Sequence, residues 1–236
     1  MATVLLLRHG RTTSNTSGVL AGWTPHIGLD ETGERQVRDA RKRLEQLPIA
    51  RIVSSPLQRC QETAAAVSGG SLAIPVETDE RLGECRYGAW TGRKISELAK
   101  DDLWRTVQDQ PSAAVFPPSP EYAHESLAEM SARAVAAVRE IDAQVEAEHG
   151  AGAIWVAVSH GDVIKAVLAD ALGNHLDEFQ RIVVGPASVS AVRYTARRPF
   201  VLRINDATGD LGDLHVKPDP SGDATPGGET GAGTSD

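Results

Sequence analysis

The sequence predicts an α/β fold of three layers, with helices on both faces of a mostly parallel central sheet. Three observations predict it. Short apolar runs, Val4–Leu7 and Ala153–Val158 above all, alternate with longer stretches of helical spacing, as strands joined by crossover helices do. The 236 residues, 41% hydrophobic and 24% charged, are enough for the core of a single such domain. Aromatic residues make up only 4%, so that core rests on Ala, Val, Leu and Ile.

Val4–Leu7, stopped by Arg8 and Gly10, reads as a central strand. Residues 29–47 follow as a helix, with Val37, Leu44 and Leu47 apolar and Arg35, Arg38, Arg41 and Arg43 solvated. Asp30 or Thr32 caps its start and Pro48 closes it. Arg51–Ser54 predicts a second strand, residues 57–68 a helix, and Ile74–Thr78 a third strand. The stretch 95–121, punctuated by Pro111, Pro117, Pro118 and Pro120, is expected to be irregular. Ser126–His149 is a long helix and Ala153–Val158 the clearest strand. Val163, Ile164, Val167, Leu168 and Leu172 mark another helix, and strands at Val189–Tyr194 and Phe200–Ile204 close the fold. The domain is expected to span residues 1–216, with a lid or insertion at about 95–125. Residues 217–236, with five Gly, three Pro and no apolar side chain larger than Ala, are expected to form a disordered tail.

The formal charge of −8 argues against a partner made of nucleic acid or anionic membrane, either of which needs a basic face. The N-terminal apolar run is too short for a signal peptide, and no later segment suits a membrane helix. Cys60 and Cys85 are too few for a disulfide framework or a thiolate zinc site. These features point to a reduced, cytoplasmic protein, as a monomer or homodimer. No metal is expected: no two histidines have the spacing of a zinc protease, and neither cysteine joins a histidine cluster. No P-loop is present, and neither cysteine has the arginine six residues on that the cysteine phosphatase loop requires.

Two motifs stand where the chain leaves apolar strands, Arg8-His9-Gly10-Arg11 and Ser159-His160-Gly161-Asp162. In open α/β sheets that edge carries the ligand site. Two histidines and several arginines there suit a phosphoryl group. Neutral imidazole is a good nucleophile near pH 7 and can accept a phosphoryl group directly. Guanidinium forks stabilise the charge on its oxygens, and Gly10 would let backbone amides approach them. A departing alkoxide needs a proton, for which Glu84 in Arg81-Leu82-Gly83-Glu84 is the candidate.

The block Arg8-His9-Gly10-Arg11-Thr12-Thr13-Ser14-Asn15 resembles the opening signature of the histidine phosphatase, or phosphoglycerate mutase-like, superfamily. The resemblance continues in order through Gly22-Trp23, Leu29-Asp30-Glu31-Thr32-Gly33, Ser54-Ser55-Pro56-Leu57-Gln58-Arg59, Arg81-Leu82-Gly83-Glu84-Cys85-Arg86-Tyr87-Gly88 and Val158-Ser159-His160-Gly161, across residues 3–205. It implies the family's three-layer fold, with His9 as the residue that becomes phosphohistidine. By position it implies Arg8, Arg59 and His160 on the phosphoryl oxygens, Glu84 as proton donor, and Arg11, Asn15, Gly22, Tyr87 and Gly161 on the phosphate or substrate side. No cofactor is implied.

Thr12 and Thr13, where acid phosphatases and phytases carry Arg and Pro, and Gly161 after His160 resemble the mutase-like branch, which includes bacterial phosphomutases and phosphatases. Cofactor-dependent mutases carry an arginine pair in the insertion after the acid. Here residues 101–130 hold one cation, Arg105, among Asp101, Asp102, Asp109, Glu121, Glu125 and Glu129. An acidic lid would repel a strongly anionic substrate. The expected function is therefore a metal-independent phosphomonoester hydrolase acting on a small phosphorylated metabolite. A phosphomutase with the same site and a non-catalytic phospho-ligand binder are the alternatives. Glu125-Ser126 with Arg133 resembles a further Glu-Ser element of the family.

Overall fold

The computed structural model describes residues 2–69, 73–207 and 225–227. Six strands form one sheet: β1 (Thr3–Arg8), β2 (Ile49–Ser54), β3 (Val76–Thr78), β4 (Ile154–Ser159), β5 (Val189–Arg193) and β6 (Phe200–Asp206). Their order is β3-β2-β4-β1-β5-β6, with β1 to β4 parallel and β5 antiparallel to both β1 and β6. The mostly parallel sheet is as expected. Each expected strand is present, with β3 beginning two residues later than predicted and β2 two residues earlier.

Alternation along β1 shows how the layers arise. Leu5 and Leu7 face one core with Ile52, Val156 and Val158; Val4 and Leu6 face the other with Val53, Trp155 and Ala157. Helices cover both faces, so the central strands read as unbroken apolar runs. The first core is closed by α2 (Glu31–Leu44) and α3 (Gln58–Ser68), the second by α6 (Leu127–His149) and α7 (Gly161–Leu172). Asp30 is the cap of α2, its carboxylate accepting from Gly33 N at 2.8 Å. Ser126 and Glu129 form a capping box at α6.

Two features differ from expectation. The proline-rich stretch is not wholly irregular: it holds two short helices, α4 (Ile95–Leu98) and α5 (Asp102–Asp109). Trp104 and Val107 of α5 are buried against Trp90 and Phe116, which makes that region a fixed part of the core. In the expected tail, Thr225, Pro226 and Gly227 sit at the C-terminal edge of the sheet; the remainder of 208–236 lies outside the described residues. The first helix, α1 (Thr13–Thr16), follows β1 and is a single turn capped reciprocally by Thr12 and Asn15.

Candidate active site

Parallel pairing brings the two motifs together. Arg8 is in register with Ser159, so the chain leaves β1 and β4 side by side, and His9 N donates to Ser159 O at 3.0 Å. The His9 and His160 rings meet edge to face, 5.2 Å between centres. Arg8, His9, Arg59, Glu84 and His160 are all buried, at 3% exposure or less.

The tautomer of His9 follows from its partners. Its Nδ1 lies 2.8 Å from the Gly10 carbonyl, which only accepts, so Nδ1 carries the hydrogen. Arg59 Nε, which only donates, lies 3.3 Å from Nε2, so Nε2 holds the lone pair. Burial, Arg59 and Arg8 all hold the His9 pKa well below that of free histidine. His9 is thus neutral and oriented, with a lone pair on Nε2 that is able to act as a nucleophile.

Arg59 is fixed by a second bond, from Nη2 to the carbonyl of Gly22 at 2.9 Å. Gly22 has φ +50°, and a Cβ there would press on Thr91 and Tyr87. Arg8 Nη1 donates to Val184 O at 2.7 Å. His160 caps α7, with Nε2 2.7 Å from the Ser55 hydroxyl and Nδ1 4.0 Å from Glu84 Oε2. Burial, then Arg59, His9 and Arg8, lower its pKa too, so His160 is held neutral in the site.

Glu84 moves the opposite way. Burial and then the charge of Asp162 raise it to about 7, against the pull of Arg59 and Arg8. A carboxyl so placed holds a proton near neutral pH, as a general acid must. Its backbone is gripped from two sides: Trp23 Nε1 donates to the Glu84 carbonyl at 2.6 Å, and Arg133 Nη2 at 3.0 Å. Arg133 also collects the carbonyls of Arg81 and Gly83 and forks onto Glu125 at 2.6 and 3.0 Å. The Glu125 and Arg133 pair therefore builds the acid's loop.

Not every expected residue reaches the pocket. Arg11 pairs with Asp30 at 2.9 Å, where it ties the nucleophile loop to the cap of α2 rather than meeting a phosphate. The Gly10 amide is spent on Thr63 Oγ1 at 3.1 Å; the glycine is required because a Cβ would collide with Gly33 and Val37 of α2. Tyr87 is wholly buried, its hydroxyl donating to Asp162 at 2.8 Å and its ring against Phe116. Asn15 and Gly22 do line the pocket, and Gly161 opens α7 beside it. The acidic lid is also reassigned: Asp101 caps α5, Glu125 pairs with Arg133 and Glu129 caps α6, and none of them lines the pocket. Its walls come from residues 18–22 and Ile95. Sequence reasoning missed Ser55 and Asp162. The signal for Asp162 was present, a charged pair with Lys165 at helical spacing on an otherwise apolar helix. Both cysteines are buried, and burial pushes Cys60 up to about 12, which makes it inert.

The chain is similar to known proteins over most of its length. The family model of the histidine phosphatase superfamily (branch 1) matches residues 4–207. The chain is 31% identical to probable phosphoglycerate mutase GpmB of Yersinia enterocolitica, covering 82% of this chain and 86% of that one. It is 32% identical to bifunctional protein Rv2228c of Mycobacterium tuberculosis over 88% of its length, but spans about half, 54%, of that longer relative. Among solved structures, YhfR of Bacillus stearothermophilus superposes with TM-score 0.77 at 29% identity, covering 88% of this chain and 98% of that one. Phosphoserine phosphatase of Entamoeba histolytica, in complex with 3-phosphoglyceric acid, gives 0.75 at 25%, covering 87% and 98%.

Proposed function

This chain belongs to the histidine phosphatase superfamily, and from that membership we propose that it is a metal-independent phosphomonoesterase that works through phospho-His9 on a small phosphorylated metabolite. One observation carries the reading: His9 Nε2 is held as a bare lone pair by the Gly10 carbonyl on one side of the ring and Arg59 on the other. In the first step Nε2 attacks phosphorus, the ester P–O bond breaks, and Glu84 passes its proton to the departing alkoxide. Arg8, Arg59 and His160 hold the three phosphoryl oxygens as charge redistributes. In the second step the Glu84 carboxylate takes a proton from water, whose oxygen attacks phosphohistidine and frees phosphate. His9 and protonated Glu84 are restored.

The relatives' names include both mutase and phosphatase activities. Phosphatase is favoured here because the pocket's described lining beyond His9, Arg59 and Glu84, namely Thr12, Asn15, residues 18–22, Ile95 and residues 225–227, brings no cationic group for a second phosphate. The test is a brief incubation with a labelled phosphate ester followed by quenching. An acid-labile, base-stable phosphoenzyme is expected in the wild type, turnover is expected to survive chelator, and His9→Ala is expected to lose both label and turnover. His9→Ala that retained most of the turnover would sink the mechanism. With phosphoglycerate as substrate, isomer exchange outrunning phosphate release would assign the mutase instead.

A further inference from the structure

Helix α7 is apolar on nearly every side, yet its first turns bury Asp162 and Lys165, each at 1% exposure. Two charged groups in such surroundings cost several kcal/mol unless partners compensate. Lys165 Nζ donates to Asp162 Oδ1 at 3.3 Å and to Gln180 Oε1 at 2.5 Å, and lies 4.6 Å from the centre of the Phe179 ring. Gln180 in turn donates to the Val107 carbonyl of α5 at 3.1 Å, which secures the network from the side of the 95–125 region. Asp162 Oδ2 accepts from the Tyr87 hydroxyl at 2.8 Å and from the Gly227 amide at 2.9 Å. Two of these three partners, the Lys165 ammonium and the Gly227 amide, can only donate, so they favour Asp162 as an ionised carboxylate.

Glu84 shares this corner of the pocket. Gly227 fits between the two acids: its amide meets Asp162, and a Cβ on it would stand 3.7 Å from the Tyr87 hydroxyl and 3.8 Å from Glu84 Oε2. Two carboxyls buried this near one another do not both ionise easily. Asp162 has a cation and two further donors, whereas among the described residues Oε1 of Glu84 accepts the Cys85 amide at 3.0 Å and Oε2 stands 4.0 Å from His160 Nδ1. Arg8 and Arg59 also face Glu84 and pull against the shift; Arg8 donates to the carbonyls of Val184 and Gly227, and Arg59 to His9 and Gly22. The other neighbours, Cys85 and Tyr87, stay neutral because burial pushes both up, and His160 stays neutral for the reason already given.

We propose that Asp162 is the positioning residue of the proton donor: a buried carboxylate, held ionised by Lys165 and Tyr87, whose charge keeps the reacting proton on Glu84. It acts through Glu84, and the idea rests on the reading of Glu84 as the acid. In each turnover the proton leaves Glu84 for the alkoxide and returns from the attacking water, and Asp162 stays charged throughout. The raised pKa of Glu84, to which Asp162 is the second contributor after burial, agrees with this role.

Asp162→Asn removes the charge and keeps the shape. Carboxyl carbon NMR, with Glu84 assigned by the signal lost in Glu84→Gln, follows each acid directly. In the wild type Glu84 is expected to titrate near pH 7. In Asp162→Asn the Glu84 titration is expected to fall by about one pH unit or more. Kinetics supply the second arm. For an alkyl phosphate, whose leaving group needs the proton, kcat/KM above neutral pH is expected to drop about tenfold or more, with its alkaline limb moved to lower pH. For p-nitrophenyl phosphate, whose phenolate leaves unaided, the change is expected to stay within about threefold. A Glu84 titration that does not move, or equal losses on both esters, would overturn the proposal. So would a wild type in which Asp162 holds the proton and Glu84 is ionised, a result that needs no variant to fold. If the wild type turned over neither ester, the proposed function would fall, and the NMR titration would still decide whether Asp162 governs Glu84.

Discussion

In the proposed mechanism His9 and Glu84 begin in opposite protonation states, and burial drives each the required way. It disfavours charge on both, so it strips the imidazole and loads the carboxyl. The kcat/KM of an alkyl ester is therefore expected to rise through a limb below the free histidine value and to fall through a limb near pH 7. The same shift has a cost in stability. Between 4.5, the ordinary glutamate value, and about 7 the folded chain keeps a proton on Glu84 that the unfolded chain has released. Stability thus falls as pH rises through that window, by about 3 kcal/mol in all. Glu84→Gln removes the penalty. Thermal unfolding at pH values above the window is expected to show the variant more stable than the wild type, although its turnover of alkyl esters drops about a hundredfold or more. A variant no more stable there would mean Glu84 is not a neutral acid in the fold. These two residues, with Arg8, Arg59 and His160, were legible in the sequence because motif order identifies chemistry. Arg11 was not, because a motif does not say which carboxylate an arginine will find; Asp30 claims it.

At the scale of elements, the site depends on how two loops are pressed into place. The loop after β1 is clamped by the first turn of α2, where a Cβ on Gly33 would collide with the backbone of Arg11 and one on Gly10 would lie 2.7 Å from the Gly33 carbonyl. The acid's loop is clamped by α6 through Arg133, whose partner Glu125 is 8% exposed at its side chain. Arg133→Met is expected to cost about 3–5 kcal/mol, because it takes the forked partner from a buried carboxylate and leaves it only the more distant Arg86 side chain at 3.8 Å. Adding Glu125→Gln is expected to restore part of that loss, and a double-mutant cycle by denaturant unfolding measures the coupling. Strict additivity of the two changes would show that the fork contributes nothing. The strands were readable because both faces of the sheet are covered and their residues are apolar in unbroken runs. Helix α5 was hidden because it is short and lies among prolines, so that its buried residues Trp104 and Val107 stand out only once Trp90 and Phe116 are seen beneath them.

At the scale of the whole molecule, a net charge of −8 coexists with a pocket built on two buried arginines, because the acids are dispersed over caps and ion pairs while Arg8 and Arg59 converge. The same convergence draws in the chain's own C-terminal segment. Arg8 Nη2 donates to the Gly227 carbonyl at 3.2 Å, and Asp162 accepts from the Gly227 amide at 2.9 Å. With Thr225, Pro226 and Gly227 in place, the cavity beside His9 has about 30 Å³, far below the roughly 300 Å³ of a pocket that takes a small ligand. If Arg8 binds the phosphoryl group as proposed, substrate and this segment compete for one guanidinium. A main-chain bond to a charged group contributes about 1.5–3 kcal/mol, and the entropy of ordering a Gly- and Pro-rich segment offsets much of it. What remains, of order 1 kcal/mol, corresponds to a few-fold in apparent affinity. A chain ending at Val216 is expected to show a KM lower by about three- to tenfold with kcat nearly unchanged, and inorganic phosphate is expected to inhibit it at correspondingly lower concentration. Added peptide spanning residues 217–236 should raise the KM of the shortened enzyme competitively. An unchanged KM on truncation would mean the segment yields the pocket at no cost, and a lower kcat would mean that it closes over the substrate instead of competing with it.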